Sequence, residues 1–332
     1  MNKMRVSVLV TFYNQEKYVD KALKSILDQK TNFGIKILVG DDGSTDETCN
    51  IVEKWIDLYP NIISLYVMER TDDKHIAGFR ASQNRLNLIK HVETEYFIFL
   101  DGDDFFDYDE KLQKQVEILD NDSNKDCICC GHDIDMLFPN GDRKAINSIN
   151  VKEGKYSPEK YWRYYYFHTD TLLFRSSMIS SIPFDLVENN FNDNLITFLA
   201  IQHGKIYYIP KSWAVYFQTG DGIWTSNKSI INVIRNMFVF DLCNQINKGM
   251  KKQTLSRFSQ TWMLIYKNRK KINKDELDVF LKEAEEKNLL ESYKWINYNE
   301  LSILSRSFLC IKAFCICWKK LLKSVFLDYK LQ

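Results

Sequence analysis

What this 332-residue chain lacks narrows its class. No stretch reaches the roughly 18 uninterrupted apolar residues of a membrane-spanning helix. The apolar run that ends at Thr11 is too short for a secretory signal, and polar Asn14-Gln15-Glu16-Lys17 follows it. Eight cysteines are present, but no pair of Cys-x-x-Cys elements, which argues against a zinc site. Cys127, Cys129 and Cys130 crowd one strand-like run, and Cys310, Cys315 and Cys317 crowd one helix-like run. These fit buried, reduced thiols of a cytosolic protein. Internal repeats and low-complexity tracts are missing too. Net charge is nearly absent, with 45 Lys+Arg against 44 Asp+Glu, so no general basic footprint points to nucleic acid as a partner.

That balance hides an asymmetry. Residues 219–332 carry 20 Lys+Arg against 11 Asp+Glu, whereas the rest carries 25 against 33. Hydrophobic content of 45% is ample for a packed core, and the length suits one large domain with an appendage, or two domains. The boundary falls near Gly220, which gives residues 1–220 and a helical region, 221–332. In the first part β-branched runs alternate with amphipathic segments. Val6–Val10, Ile35–Val39, Ile62–Val67 and Tyr96–Leu100 predict strands. Between them Val19, Ala22, Leu23 and Ile26, then Val52, Trp55 and Ile56, then Leu86 and Ile89 predict helix faces. Ser44 with Glu47 fits a capping box for the second helix. Strands alternating with helices predict parallel strands with crossover helices in an α/β fold. After about residue 125 the pattern loosens into short strand-like runs (Cys127–Cys130, Thr171–Phe174, Ile206–Ile209, Val215–Phe217), aromatic stretches and a short helix over Leu195–Gln202.

Two acidic clusters stand about sixty residues apart, each directly after a predicted strand. One is Asp41-Asp42-Gly43-Ser44-Thr45-Asp46 and the other Asp101-Gly102-Asp103-Asp104. In an open α/β sheet, ligands bind just past the carboxyl ends of the strands. Carboxylates gathered there repel one another unless a cation or a hydrogen-bond donor is shared. The pairing points to a metal-assisted site for a phosphate-bearing ligand. Phe105 and Phe106 stand where a calcium loop needs a ligand and a glycine, so Mg²⁺ or Mn²⁺ is the better fit. A carboxylate at the first strand end can also accept the N3–H of a uracil ring.

The run Val6-Ser7-Val8-Leu9-Val10-Thr11-Phe12-Tyr13-Asn14, with Asp41 to Asp46 and Asp101 to Asp104 in the same order and spacing, resembles the family 2 glycosyltransferases of GT-A fold. The resemblance covers about residues 4–225. It implies a Rossmann-like mixed, mainly parallel sheet flanked by helices. It also implies an inverting transfer of sugar from a nucleotide-diphosphate sugar, usually a UDP-sugar, with a divalent cation, Mn²⁺ or Mg²⁺. Thr11, Phe12 and Tyr13 would line the nucleoside pocket and Asp42 would read the uracil. Asp101, Gly102 and Asp103 would bind the donor, with Asp103 touching the ribose or the metal, and Asp103 or Asp104 would hold the metal. The family's Gly-x-x-x-x-Arg-Asn stretch appears loosely as Gly78 to Asn84, with the arginine displaced to Arg80, to which a diphosphate contact falls. The family's catalytic base is the aspartate of a Glu-Asp pair opening a helix. Here Asn192-Asp193 stands in that place, which implies Asp193 as base, although Asp also favours a helix cap. Where the family often carries Tyr-Arg and a histidine, this chain has Tyr216-Phe217-Gln218-Thr219. Gly220, Asp221, Gly222 and Trp224 fit a mobile lid.

His75, His91, His132, His168 and His203 show no metal-ligand spacing and read as structural. The run Tyr161–Phe167 reads as core with some acceptor-side surface. Near the C-terminus, Phe308, Ile311, Phe314, Trp318, Leu321 and Val325 share one helical face, with Lys312, Lys319, Lys320 and Lys323 opposite. Such a helix over residues 307–326 suits peripheral contact with a membrane, placing the protein in the cytoplasm at the membrane face. The same stripe fits packing on the enzyme's own helices or the seam of a homodimer. Expected partners are a nucleotide-sugar donor and a glycan or lipid-linked acceptor in surface polysaccharide, lipooligosaccharide or glycoprotein assembly. Two competing readings stay open: a metal-dependent nucleotidyltransferase and a non-catalytic nucleotide-sugar-binding module. The first normally needs a phosphate-gripping N-terminal signature, absent at Thr11-Phe12-Tyr13-Asn14, and the second fits poorly with intact acidic clusters.

Overall fold

The computed structural model describes residues 2–70, 77–146, 151–220, 229–268 and 271–286. The expected strands and helices of the first half form. They are β1 (Met4–Phe12), α1 (Val19–Leu27), β2 (Gly34–Asp41), α2 (Thr48–Leu58), β3 (Ile63–Val67), α3 (Ala77–Ile89) and β4 (Tyr96–Asp101). A two-residue strand β5 (Phe105–Phe106) and α4 (Lys111–Asp120) follow. Then come β6 (Cys127–Leu137), β7 (Arg143–Ala145), β8 (Gly154–Tyr156), α5 (Pro158–Tyr164), β9 (Leu173–Arg175), α6 (Phe184–Val187), α7 (Asp193–Ile201) and β10 (Lys205–Phe217).

One ten-stranded sheet runs β3-β2-β1-β4-β9-β6-β10-β5, with β7 beside β6 and β8 beside β10. The β3-β2-β1-β4 block is parallel throughout, as crossover helices require. β9 then runs antiparallel to both β4 and β6, so the sheet is mixed but mainly parallel. Val8, Val10, Ile37, Val39, Ile98 and Leu100 are fully buried in its centre. Strands this apolar on both faces are what a sheet covered by helices needs.

Two sequence expectations are corrected. Ile206–Ile209 and Val215–Phe217 are one strand, β10. The exposed Pro210-Lys211-Ser212 between them lies where its register on β6 shifts. A bulge lets a strand pass through a polar, proline-bearing interruption without ending. The capping box at α2 does not form. Ser44 Oγ donates instead to Asp41 Oδ2 at 2.6 Å and accepts from Asn14 N–H, and Glu47 makes no side-chain cap.

The chain divides into two compact units. Among the described residues, one holds those up to 70 with those of Arg80–Thr219, and the other holds 77–79 with those from Gly220 to Glu286. In the second unit α8 (Ser229–Ile246), α9 (Lys251–Lys267) and α10 (Lys274–Glu286) are described. There Phe280 stacks against Phe79 and tilts against Phe238. No helix among the described residues is long and apolar enough to cross a membrane. The tail stripe over 307–326, with Cys310, Cys315 and Cys317, lies outside the described residues, as do His75, Asp221, Gly222 and Trp224. The described cysteines are all free thiols.

Candidate active site

The carboxyl end of β1 ties both acidic loops together. The Asp42 N–H donates to the Phe12 carbonyl and the Gly102 N–H to the Thr11 carbonyl, each at 3.0 Å. Parallel pairing to β2 on one side and β4 on the other brings the loops after those strands to one end of the sheet. The Phe12 ring is buried beneath Gly102. A Cβ on that glycine would stand 2.2 Å from it, so only glycine lets the second loop lie this close. Asn14, at φ 49°, receives the Thr45 N–H on its side-chain oxygen and locks the β1 turn to the first acidic loop.

Within the first loop the two carboxylates differ in task. Asp41 is fully buried and accepts from the N–H and hydroxyl of Ser44, which closes the turn. Asp42 accepts from Arg80 Nε at 2.5 Å on Oδ1 and from Arg70 Nη2 at 2.9 Å on Oδ2. The Arg70 guanidinium also lies 3.7 Å over the ring of Tyr13, which is 40% exposed. Tyr13, Asp42, Arg70 and Arg80 thus form one aromatic and ionic cluster beside Thr11. Sequence reasoning placed Arg80 at a diphosphate, whereas its guanidinium here reaches Asp42.

The second loop gathers buried acid. Asp103 is pushed up to about 7 by burial and then by the charge of Asp101. Asp104 is buried, its Oδ1 accepts from the Phe217 N–H at 2.7 Å, and its Oδ2 has no hydrogen-bond partner. The 3₁₀ turn Thr169–Thr171 brings Asp170 beside it, fully buried, with both carboxylate oxygens unpartnered. His168 Nδ1 is unpartnered as well and lies 3.7 Å from Asp170 Oδ1. One ligand atom from each of Asp104, His168 and Asp170 lies within 4.8 Å of the others. Burial, and then the neighbouring carboxylate of Asp170, pushes Asp104 well above the usual range. Burial pushes Asp170 up to about 6. His168, expected to be structural, is therefore one of three buried groups aimed at a common point. The His-x-Asp spacing of 168 and 170 was the available signal. The third member, Asp104, is one of the two residues to which the resemblance gave the metal; its meeting with a pair 64 residues later was not readable.

Arg85, on α3, joins the halves of the site. Its Nη2 donates to Asp101 Oδ1 at 2.6 Å and its Nη1 to Asp193 Oδ1 at 2.5 Å. Asp193 is the first residue of α7, but the cap is Asn192, whose side chain accepts from the N–H groups of Asn194 and Leu195. Asp193 is thus freed from capping and its second oxygen accepts from the Tyr166 hydroxyl at 3.1 Å. Burial alone would raise its pKa. Arg85, aided by His168, outweighs this and holds Asp193 below the usual carboxylate range. Sequence reasoning missed Arg85, Tyr166 and Asp170. Arg85 directly follows the Gly78-to-Asn84 stretch, so the motif pointed to the right helix and to the neighbouring turn.

Comparison with known proteins gives the family and the fold. The chain is 26% identical over 230 residues to the uncharacterized protein Rv1520 of Mycobacterium tuberculosis, covering 67% of this chain and 61% of that one. It is 26% identical over 272 residues to the poly(ribitol-phosphate) beta-N-acetylglucosaminyltransferase TarS of Staphylococcus aureus, covering 77% of this chain and 44% of that one. It therefore spans less than two thirds of the length of either relative. The crystal structure of S. aureus TarS 1–349 in complex with UDP superposes with a TM-score of 0.63 at 17% identity, over 99% of this chain and 92% of that one. The fold is the GT-A fold expected from the strand and motif order. Glycosyl transferase family 2 is matched over residues 7–183, more than half of the chain, and the chain belongs to that family.

Proposed function

We propose that this protein is an inverting, metal-dependent glycosyltransferase. It moves a sugar from a nucleotide-diphosphate sugar, UDP-linked by preference, to a hydroxyl of a glycan or lipid-linked acceptor. The observation that carries this reading is the Arg85 bridge. It holds an ionised carboxylate, Asp193, one guanidinium away from the acidic loop after β4. One positioned base and a separate charge-accepting site are what a single displacement at an anomeric carbon needs. The transferase TarS, named for poly(ribitol phosphate), is a relative over most of this chain, which favours a polyhydroxylated acceptor.

On this reading Tyr13 stacks on the base, and Asp42 accepts the uracil N3–H once Arg70 turns aside. Thr11, Phe12 and Gly102 shape the nucleoside floor, with Phe12 acting from beneath. Arg80 holds Asp42 in place. Asp101 and Asp103 face the ribose and diphosphate. The residues fit a divalent cation: Asp104, His168 and Asp170 present four buried oxygen and nitrogen atoms without partners, and hard oxygen donors with imidazole suit Mn²⁺ or Mg²⁺. Asp103 adds a carboxylate at the mouth of the group. A bound cation supplies a Lewis acid for the charge that develops on the departing diphosphate. Asp193, kept ionised by Arg85, takes the acceptor proton as the bond to the leaving group breaks, when that hydroxyl is most acidic.

The test is binding. Titrating UDP and UDP-sugars into the protein with Mn²⁺, and again with EDTA, should give a measurable affinity that falls sharply in the chelator. Equal affinity under both conditions would remove the metal from the reading, and no binding of any nucleoside diphosphate would remove the donor.

A further inference from the structure

Both carboxylate oxygens of Asp193 are taken before any acceptor arrives, and the two donors differ in kind. Arg85, on Oδ1, is a charged side chain only 13% exposed, and its other end is fixed to Asp101. Tyr166, on Oδ2, is a neutral donor at 3.1 Å. It lies between α5 and the 3₁₀ turn Thr169–Thr171, outside any helix or strand, and is 39% exposed, beside Tyr164 at 62%. A carboxylate has no proton to give, so towards Asp193 the phenol hydroxyl donates. Of the two, Tyr166 is the partner that can leave.

A base poised for an acceptor hydroxyl serves water equally well. With donor bound and Oδ2 open, a water oxygen would attack the anomeric carbon. Its proton would pass to Asp193, and the bond from that carbon to the diphosphate oxygen would break, with the electron pair leaving on the nucleotide. We propose that Tyr166 gates the base: its hydroxyl closes Asp193 Oδ2 to water until an acceptor hydroxyl displaces it, favouring transfer over donor hydrolysis. This rests on Asp193 being the base, as proposed above.

The test needs only donor. Hydrolysis is followed as nucleotide release without acceptor, using whichever sugar of a UDP-, GDP- and dTDP-sugar panel is turned over fastest. It is compared in the wild type, Tyr166→Phe, Asp193→Asn and the double variant. The gate predicts that Tyr166→Phe hydrolyses donor on the order of tenfold faster than wild type, the weight of one hydrogen bond to a charged group. The double variant should lose that excess, because the extra hydrolysis runs through the opened Asp193. Nucleotide affinity and melting temperature should stay near wild type in Tyr166→Phe, which loses one oxygen atom. Unchanged hydrolysis in Tyr166→Phe overturns the gate, as does excess hydrolysis that survives in the double variant. If the Phe variant does not fold, Tyr166→Leu, which also removes the phenol, takes its place, and unchanged hydrolysis in a folded Tyr166→Leu overturns the gate in the same way. Failure of the underlying reading looks different: Asp193→Asn would then keep normal transfer to poly(ribitol phosphate) or a glycoside acceptor. If no sugar nucleotide is turned over by Tyr166→Phe, nor by the wild type with an acceptor present, the transferase reading and the gate fall together.

Discussion

Arg85 and Asp193, 108 residues apart in sequence, meet at 2.5 Å, and the same guanidinium holds Asp101 at 2.6 Å. The pair links the loop after β4 to the start of α7. A buried carboxylate is ionised only with a cation beside it, and a buried arginine is tolerated only when paired. Each therefore fixes the other, and Asp193 is left oriented rather than merely near.

Replacing Asp193 by Asn keeps the shape and removes the basicity. Transfer kcat should fall on the order of 10²–10⁴-fold, the usual weight of a general base. Donor affinity, measured by titration, should hold, since the residue faces away from the nucleotide in the proposed layout. A folded variant with near-normal kcat would reduce Asp193 to a structural ion pair.

Replacing Arg85 by Met leaves Asp193 buried without its cation. The groups that still face it are His168, Thr169, Tyr166 and Asp170. In the wild type the folded pKa of Asp193 is depressed. Its ionised form therefore contributes stability above the unfolded carboxylate pKa of about 3.9, and this is lost only as pH falls through the lower folded value. In the variant burial dominates and the pKa rises. The acid limb of kcat/KM should move upward by about a unit or more. An unmoved limb would mean that Arg85 does not set the ionisation of Asp193.

The trio Asp104, His168 and Asp170 is tested by metal binding itself. Mn²⁺ affinity, read by electron paramagnetic resonance with UDP present, should fall at least about tenfold in His168→Ala or Asp170→Asn. Losing even an outer partner of a metal ligand commonly costs 10–100-fold. Unchanged Mn²⁺ affinity in both variants would assign the cation to Asp103 and other groups.

Gly102→Ala places a methyl 2.2 Å from the Phe12 ring. Such overpacking costs about 1–3 kcal/mol. The second acidic loop has to lift, so melting temperature and UDP affinity should fall together. Trimming the ring in Phe12→Leu should recover part of both. Failure of the second change to restore anything would mean that the contact does not set the loop.

How much of this was legible follows from how local each signal is. The strands β1, β2 and β4 announce themselves as short β-branched or aromatic runs, and each acidic loop lies directly behind one of them, so half of the site could be read residue by residue. Asp193 was legible because a helix start follows it, although the capping duty falls to Asn192. The closing of Asp104 against His168 and Asp170, and of Arg85 against Asp193, depends on β9 running antiparallel between β4 and β6. No local pattern encodes that pairing, because a three-residue strand carries too few side chains to show a period. Likewise the polar Pro210-Lys211-Ser212 reads as a break, and only the neighbouring strand shows that β10 continues through it.

The central claim is transfer of sugar from a nucleotide donor, and nucleotide release measures it most directly. The protein, with Mn²⁺ or Mg²⁺, is incubated with UDP-, GDP- and dTDP-sugars in the presence of poly(ribitol phosphate) or glycoside acceptors, and free nucleoside diphosphate is counted. The account predicts release from at least one donor, strongest among the UDP-sugars, stopped by EDTA and reduced by orders of magnitude in Asp193→Asn. Stoichiometric appearance of a glycosylated product of inverted anomeric configuration should accompany it. Binding of UDP-sugars without any release across the panel would contradict the account and leave a nucleotide-sugar-binding module in its place.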